Sequence, residues 1–284
     1  FIKICLNYLK SSNKKLKNVK FIITESQSIA EKRNLSVNLC KSKYIIFLDS
    51  DAYPDKNWNE SASKFLLRKK NCVIAGPHID PPNQNEEEKI IGLIKKSFLI
   101  TMKPKLQKQN NAKPQYVSFL PSANWFLHRK FFNSMGQMDN KLLRNEDWDF
   151  VYRMSKKNFK LFYSPRSVVF HENSTIKHFI KKRYVYGFHM WPILKQLNPE
   201  NYYFFLPLFF LLFLLSFPLC YIIDFYFLIY FPILFVYITA VFLETLRLCY
   251  NVKSFFKMLF VLILANLSPG FGILFGFFDF FKKK

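Results

Sequence analysis

Two carboxylates stand two positions apart directly after an apolar run, and such a pair can bind a metal ion or a phosphate. Asp49 and Asp51 follow Tyr44–Leu48, five apolar residues in succession that predict a strand buried on both faces. The end of such a strand brings both side chains to the carboxyl edge of an open α/β sheet, where ligands bind. Carboxylate oxygens suit Mg²⁺ or Mn²⁺ bridging a diphosphate, although a plain polar turn would explain the same residues.

A second acidic group follows an asparagine. Asn145 is placed to cap a helix that runs to about Lys156, and Glu146 and Asp147 then fall in its first turn. Acidic side chains there are stabilised by the helix dipole, and this effect alone would account for their presence. The same location favours the ionised carboxylate that a general base needs to take a proton from a hydroxyl group.

A sheet and helices must position these groups, and the spacing of apolar residues predicts both. Ser28 and Glu31 have the spacing of a capping box, which begins a helix that runs to about Cys40. Strands and helices alternate, which indicates an α/β fold with a largely parallel sheet covered by helices. The predicted strands are 19–24, 44–48, 72–75, 116–120, 124–127, 160–163 and 167–170, with further helices at 57–70 and 131–135. Residues 80–114, with room for a helix near 86–100, are expected to form a long mobile excursion beside the site.

Composition divides the chain into two regions. The 284 residues carry 42 Lys and Arg against 19 Asp and Glu, a net charge of +23, and half of them are apolar. Most of the charge lies before residue 202, and the stretch that follows is dominated by Phe, Leu, Ile and Tyr. This pattern predicts a basic α/β domain followed by a membrane region. The five cysteines are far apart and form no Cys-x-x-Cys pair, so neither a disulfide framework nor a zinc ribbon is indicated.

The membrane region is predicted to hold two spans, 202–223 and 225–246, joined by a turn at Asp224. A third apolar segment, 255–281, contains Pro269-Gly270 and is expected to form a re-entrant or interfacial hairpin. The distribution of positive charge then places the front domain and the tail in the cytoplasm, at the inner, cytoplasmic membrane. Residues 175–201 alternate basic and aromatic side chains and are predicted to form an interfacial helix on anionic headgroups, although an amphipathic helix packed on the domain also fits.

Six short motifs occur in order between residues 19 and 190. They are Ala30-Glu-Lys-Arg-Asn34, Phe47-Leu-Asp-Ser-Asp-Ala-Tyr-Pro54 with Trp58, Leu120-Pro-Ser-Ala-Asn124, Gly136-Gln-Met-Asp139, Glu146-Asp147 and Val168-Val-Phe-His171. Together they resemble the successive motifs of family 2 glycosyltransferases, which have the GT-A fold. A phosphatase with an Asp-x-Asp nucleophile loop fits less well, because that loop normally continues with Thr or Val, whereas Ala52 stands here.

The resemblance implies an inverting transfer of a sugar from a UDP- or GDP-linked donor to a lipid-linked or glycan acceptor, with Mn²⁺ or Mg²⁺ as cofactor. It implies an α/β GT-A domain with a mixed, mostly parallel sheet over 1–174, followed by the interfacial region 175–201 and the membrane region 202–284. Asp49 and Asp51 would hold the metal, with His171 as a further ligand. Asp147 would be the catalytic base, with Glu146 as its helper.

The same resemblance gives roles to further residues. The nucleotide sugar would be bound by Glu25, Lys32, Arg33, Asp49 and Asp51, and the acceptor side would be formed by Asn124 and Trp148. Surface solvation would also explain Lys32, a turn would explain Asn124, and His171 could be a structural histidine.

Two departures from the family pattern bear on function. The first strand of the fold is not visible before Val19, so an N-terminally truncated domain is expected. The Gln-x-x-Arg-Trp motif of processive synthases is absent, which favours addition of a single sugar over polymerisation.

Two rival hypotheses stay open at this point: a membrane-tethered basic protein that binds anionic lipid or nucleic acid, and a catalytically degenerate glycosyltransferase. The basic residues are spread over many loops and carry no nucleic-acid-reading motif, so no nucleic-acid partner is expected.

Overall fold

The computed structural model describes residues 22–101, 113–196 and 199–282. Its strands are β1 (Tyr44–Leu48), β2 (Ala52–Pro54), β3 (Val73–Ala75), β4 (His78–Ile79), β5 (Gln115–Val117), β6 (Asn124–His128), β7 (Leu161–Tyr163) and β8 (Val169–His171). Its α-helices are α1 (Ile29–Leu39), α2 (Trp58–Leu66), α3 (Glu86–Ile94), α4 (Arg129–Ser134), α5 (Glu146–Lys156), α6 (Ile176–Phe188), α7 (Leu206–Leu215), α8 (Phe227–Leu248) and α9 (Val252–Lys282). Short 3₁₀ helices cover Trp191–Gln196, Pro199–Phe205 and Phe217–Tyr221.

Most predicted elements are present with small shifts at their ends, but the predicted strand 19–24 is not confirmed. Residues 19–21 lie outside the described residues, and residues 22–24 are not in a strand. The side chain of Ile23 is 75% exposed, so it lacks the packing that a strand in the sheet would receive.

The strands form a mixed sheet, as predicted. The larger sheet has the order β1-β6-β3-β7-β5, and the smaller one has the order β2-β8-β4. Strands β1, β3 and β7 point in the same direction, but β6 lies antiparallel between β1 and β3, and β5 is antiparallel to β7. In the larger sheet, fewer neighbouring strands are therefore parallel than the alternation of strands and helices predicts.

The prediction that β1 is buried on both faces is wrong. Ile45 and Phe47 belong to the main core, together with Trp125 and other apolar residues, whereas Ile46 and Leu48 are 42% and 39% exposed. Strand β1 lies at the edge of the described sheet, where the second face receives less cover. An apolar run alone does not distinguish an edge strand from a central one.

Helix α3 is a packed element rather than part of a mobile excursion. Its start is a capping box, in which Asn85 Oδ1 accepts a hydrogen bond from the Glu88 backbone N–H and Glu88 Oε2 accepts one from the Asn85 N–H, both at 3.0 Å. Its apolar face joins a second core formed by Ile90, Ile91 and Ile94 with residues of α6 and α9, including Phe179, Met258 and Leu262. The prediction for residues 102–112 lies outside the described residues.

Three segments are long and apolar enough to cross a membrane by length and composition: Tyr202–Tyr221, Phe227–Leu248 and Val252–Lys282. The first two correspond to the predicted spans, and Asp224 lies in the turn between them.

The predicted hairpin at Pro269-Gly270 is wrong, because α9 is one continuous helix of 31 residues. Pro269 has no N–H and therefore leaves the carbonyl of Ala265, four residues earlier, without its helical donor. The Nε of Arg183 on α6 donates a hydrogen bond to this oxygen at 2.6 Å. The neighbouring helix thus replaces the hydrogen bond that the proline removes.

Helix α6 packs closely on α9, a helix of the predicted membrane region, whereas the packed alternative for residues 175–201 placed it on the domain. A Cβ added at Gly272 would lie 2.1 Å from the backbone oxygen of Tyr184, and one at Gly276 would lie 2.2 Å from that of Phe188. Burial lowers the pKa of Arg183 to about 10. Lys181 and Lys182 are exposed, and their contact with lipid headgroups stays a prediction.

Candidate active site

Arg33 on α1 connects the two acidic groups that the sequence places in different parts of the chain. Its Nη2 donates a hydrogen bond to Asp49 Oδ1 at 2.9 Å, and its Nη1 donates one to Glu146 Oε1 at 3.0 Å and another to Ser122 Oγ. The Arg33 side chain is only 13% exposed, so water screens these ion pairs less than it would at the surface. Asp49 and the start of α5 therefore face one crevice.

Local signals in the sequence position Arg33 and the loop before α5. Helix α1 begins at Ser28, whose Oγ accepts a hydrogen bond from the Glu31 N–H. One turn further, Asn34 is buried and its side chain bonds both to the carbonyl and to the N–H of Met138, at 2.7 and 3.1 Å. The same helix that presents Arg33 thus anchors the segment leading to Glu146 and Asp147.

Asp147 is held by three donors. Its Oδ1 accepts a hydrogen bond from the Trp148 N–H at 2.8 Å, and its Oδ2 accepts from the N–H and the hydroxyl of Ser122 at 3.2 and 3.4 Å. Burial raises the pKa of Asp147, and burial together with the charge of Asp147 raises the pKa of Glu146. The positive charge of Arg33 acts in the opposite direction on both. The two neighbouring carboxyls titrate as a pair whose ionisation depends on Arg33.

Asn145 begins α5 by its backbone conformation, not through the side-chain cap that the sequence predicts. It has φ 65° and ψ 23°, in the left-handed region that asparagine tolerates better than most residues. Its Nδ2 donates a hydrogen bond of 3.0 Å to the carbonyl of His189, at the end of α6. Helix α5 is therefore tied, through the residue that precedes it, to the helix that packs on α9.

Asp49, Asp51 and His171 each offer a ligand atom, and these atoms lie within 4.8 Å of one another. The pairing of Ala52 with His171 between β2 and β8 brings His171 to this place. His171 Nδ1 lies 3.0 Å from the carbonyl oxygen of Glu172, which can only accept, so Nδ1 donates there and Nε2, 3.4 Å from Asp51 Oδ1, is the nitrogen that could bind a metal ion. Two carboxylates and an imidazole nitrogen fit Mn²⁺, and the carboxylates also suit Mg²⁺.

Comparison with known proteins decides the family. The model of Glycosyl transferase family group 2 matches residues 44–265, which is most of the chain. The chain belongs to this family. The sequence-based prediction of a family 2 glycosyltransferase is confirmed.

Individual relatives of this glycosyltransferase are distant. A Pre-mycofactocin glycosyltransferase of Mycobacterium tuberculosis is 25% identical over 171 residues, which are 57% of this chain and 34% of the relative. The glycosyltransferase thus spans about a third of the length of the curated relative that it matches.

Solved structures also match the chain at low sequence identity. The structure of GalNAc-T7 with UDP, GalNAc and Mn²⁺ has a TM-score of 0.45 at 15% identity, over 66% of this chain and 41% of the other. That of S. aureus TarS with UDP-GlcNAc has a TM-score of 0.38 at 13% identity, over 99% and 80% of the two chains.

Other predicted site residues either have exposed side chains or are buried in the scaffold. The side chains of Glu25 and Lys32 are exposed and form no hydrogen bond or ion pair with any described residue. Asn124 is buried, its Oδ1 accepts from Trp58 Nε1 and its Nδ2 donates to the Ser167 carbonyl, each at 2.8 Å. Asn124 is therefore fully buried, and its amide supports the sheet.

Trp148 lies between two aromatic rings. Its ring centroid is 4.9 Å from that of Phe119 and 5.2 Å from that of Phe204. Phe204 belongs to the 3₁₀ helix that leads into the first apolar segment. Trp148, the residue directly after the predicted base, thus contacts the start of the membrane region.

Two residues of the crevice were missed by sequence reasoning. Ser122 lies inside the quoted Leu120–Asn124 motif, but no local signal shows that it bridges Arg33 and Asp147. Tyr186 lies on α6, three residues before His189. Partial burial and the nearby charges of Asp147 and Glu146 raise the pKa of its phenol to about 12. The aromatic and basic pattern of residues 175–201 predicts a helix but does not indicate which face of that helix meets the site.

Proposed function

We propose that this glycosyltransferase moves a sugar from a UDP- or GDP-linked donor to a lipid-linked or glycan acceptor, with inversion at the anomeric carbon. The observation that carries the proposal is the bridge formed by Arg33 between Asp49 and Glu146. It places the candidate metal ligands and the carboxylates of α5 in one crevice. A displacement needs groups for the leaving diphosphate and for the attacking hydroxyl at opposite ends of one reaction path.

Asp49, Asp51 and His171 would hold Mn²⁺ or Mg²⁺. When bound, a divalent cation neutralises the charge that builds on the departing diphosphate. His171 would contribute its Nε2, and the contact of its Nδ1 with the Glu172 carbonyl fixes the orientation of the ring. Both carboxylates are partly exposed, with side chains 39% and 47% accessible, so a diphosphate can approach them from the open side of the crevice.

Asp147 would take the proton from the acceptor hydroxyl. The N–H groups of Ser122 and Trp148 fix the direction of its carboxylate, and burial increases its basicity relative to an ordinary aspartate. Glu146 would keep Arg33 in place and help to orient the acceptor. Attack from the side of Asp147, opposite to the departing diphosphate, would invert the anomeric configuration.

The acceptor would arrive from the membrane side. The contact between Trp148 and Phe204 supports this, because it connects the predicted base to the start of Tyr202–Tyr221. A lipid-linked acceptor could then place its reactive hydroxyl at Asp147 while its apolar part stays in the bilayer. The basic front domain favours the cytoplasmic face of the inner membrane.

The experiment is transfer of labelled sugar by the purified full chain in lipid nanodiscs. Panels of UDP- and GDP-sugars are offered with membrane-lipid and glycan acceptors, and the product's anomeric configuration is read by NMR. We expect metal-dependent transfer with inversion, lost in Asp51→Ala and kept in Glu60→Ala, which removes an exposed acid on α2. Transfer with retention, or transfer unaffected by a chelator, would contradict the proposal.

A further inference from the structure

Lys95, directly after α3, is a largely buried ammonium group whose hydrogen-bond partner is neutral. Its Nζ donates to Asn173 Oδ1 at 2.7 Å. The nearby carboxylate of Asp80 is already used by others, since it accepts from Asn173 Nδ2 at 2.9 Å and pairs with Lys96 Nζ at 2.7 Å. A buried cation without its own counter-charge is costly, so this place is complementary to an anion.

Lys182 on α6 adds a second positive charge. It is exposed, and no carboxylate of the described residues lies within ion-pair distance of it. Burial, together with the charge of Lys182, lowers the pKa of Lys95 to about 8. Lys182 and Tyr186 are four residues apart on α6 and so share the helix face that meets the site.

His78 on β4 adds a buried polar atom without a partner. Its ring stacks on that of His171, with 5.8 Å between the centroids and 15° between the planes. Its Nε2 is inaccessible to water and forms no hydrogen bond within the described part of the chain. Buried polar atoms normally have a partner, so an unpaired one here points to a group that is supplied from outside.

Two of these residues border the candidate metal ligands, since His78 stacks on His171 and Lys95 is held by Asn173, two positions after His171. The carbonyl of Asp51 accepts a hydrogen bond from the Glu172 N–H at 2.8 Å, which keeps this segment beside Asp51. A divalent cation on Asp49, Asp51 and His171 would neutralise the carboxylate of Asp51, and Asp80 is already paired with Lys96. Lys95 and Lys182 would then keep a positive charge that an anion can offset.

We infer that Lys95, Lys182 and His78 form a phosphate-binding site beside the metal ligands. The inference rests on the proposed function and adds three binding residues to it. Phosphate oxygens accept strong hydrogen bonds from ammonium groups. Two substrates of the proposed reaction could supply them: the diphosphate of the donor, or the phosphate of a lipid-linked acceptor.

The test measures binding by the full chain in detergent, with no turnover required. Lys95→Gln and Lys182→Gln are compared with wild type and with Lys181→Gln, which removes an exposed charge of the same helix. The probes are UDP with Mn²⁺, for the donor, and dodecyl phosphate, for a lipid phosphate. Loss of one charge-assisted hydrogen bond should weaken binding about tenfold.

A loss of about tenfold in Lys95→Gln and Lys182→Gln, absent in Lys181→Gln, would support the site. A loss of affinity confined to UDP assigns the site to the donor diphosphate, and one confined to dodecyl phosphate assigns it to the acceptor lipid.

If Lys95→Gln lowers the melting temperature, the binding measured for Lys182→Gln, which changes an exposed residue, decides whether the inference holds. Unchanged binding of both probes in Lys182→Gln overturns the inference. Failure of wild type to bind either UDP or GDP with Mn²⁺ would instead contradict the proposed function, while dodecyl phosphate still tests the site.

Discussion

The guanidinium of Arg33 donates a 3.0 Å hydrogen bond to the carboxylate of Glu146, a residue 113 positions later in the chain. The same guanidinium is bonded to Asp49, so one side chain joins a candidate metal ligand to the carboxylate beside the candidate base, Asp147. This contact makes two distant acidic motifs parts of one site. It also makes the ionisation of the Glu146 and Asp147 pair depend on Arg33.

Replacement of Arg33 by Gln should move the acid limb of the kcat/KM profile to higher pH. The positive charge of Arg33 lowers the pKa of both carboxyls, so its removal raises them further and a higher pH is needed to ionise the base. The expected shift is about one pH unit or more. Arg33→Lys keeps the charge and should shift the limb less. An identical acid limb in wild type and Arg33→Gln would show that Arg33 does not control the pair.

Replacement of His171 by Ala should weaken Mn²⁺ binding. The variant loses one of three ligand atoms, and we expect the Kd to rise about tenfold or more. Titration followed by electron paramagnetic resonance measures free Mn²⁺ directly. His178→Ala, which removes an exposed imidazole of α6, is the matched control. Equal affinities in the two variants would remove His171 from the metal site.

Asn145 can be tested with two substitutions that lose the same hydrogen bond. Both Asn145→Gly and Asn145→Ala lack the donor to the His189 carbonyl, but only alanine is strained at φ 65°. The alanine variant should therefore be less stable than the glycine variant by about 1–2 kcal/mol. Denaturant midpoints of the two proteins give the difference. Equal stability would mean that the left-handed conformation is not what begins α5.

The link between Arg183 and Pro269 predicts a coupling between two helices. Arg183→Met leaves the Ala265 carbonyl without a donor and should cost about 1–3 kcal/mol. In a Pro269→Ala background, the N–H of residue 269 can bond to that carbonyl, so the same substitution should cost less. A double-mutant cycle on unfolding in detergent measures the coupling. The same cost in both backgrounds would contradict the proposed replacement of the helical hydrogen bond.

The parts of the site that could be predicted are those with local signals. Asp49 and Asp51 directly follow an apolar strand, and Glu146 and Asp147 begin a helix, so local patterns predict where their side chains stand in the fold. No local signal marks Ser122 or Tyr186, because contacts between distant segments of the chain bring these residues to the site. Glu25 and Lys32 were assigned by resemblance, and their side chains are exposed and have no partner among the described residues.

The errors in the fold have the same origin. Pro269 predicts a broken helix by a sound local rule, but a side chain of α6 satisfies the freed carbonyl and the helix continues. The polar composition of residues 80–114 hides Ile90, Ile91 and Ile94, whose burial depends on α6 and α9. The apolar run Tyr44–Leu48 indicates a strand but does not reveal that it lies at a sheet edge.

The most direct test of the central claim separates metal binding from proton transfer in one experiment. Two quantities are measured on the same preparations of wild type, Asp147→Asn and Asp51→Ala. They are the affinity for the donor's nucleotide, UDP or GDP, with Mn²⁺, and the turnover of sugar transfer. We predict that Asp147→Asn binds within about twofold of wild type but loses about a thousandfold in turnover, whereas Asp51→Ala loses both. Wild-type turnover in Asp147→Asn, or wild-type binding and turnover in Asp51→Ala, would contradict the account.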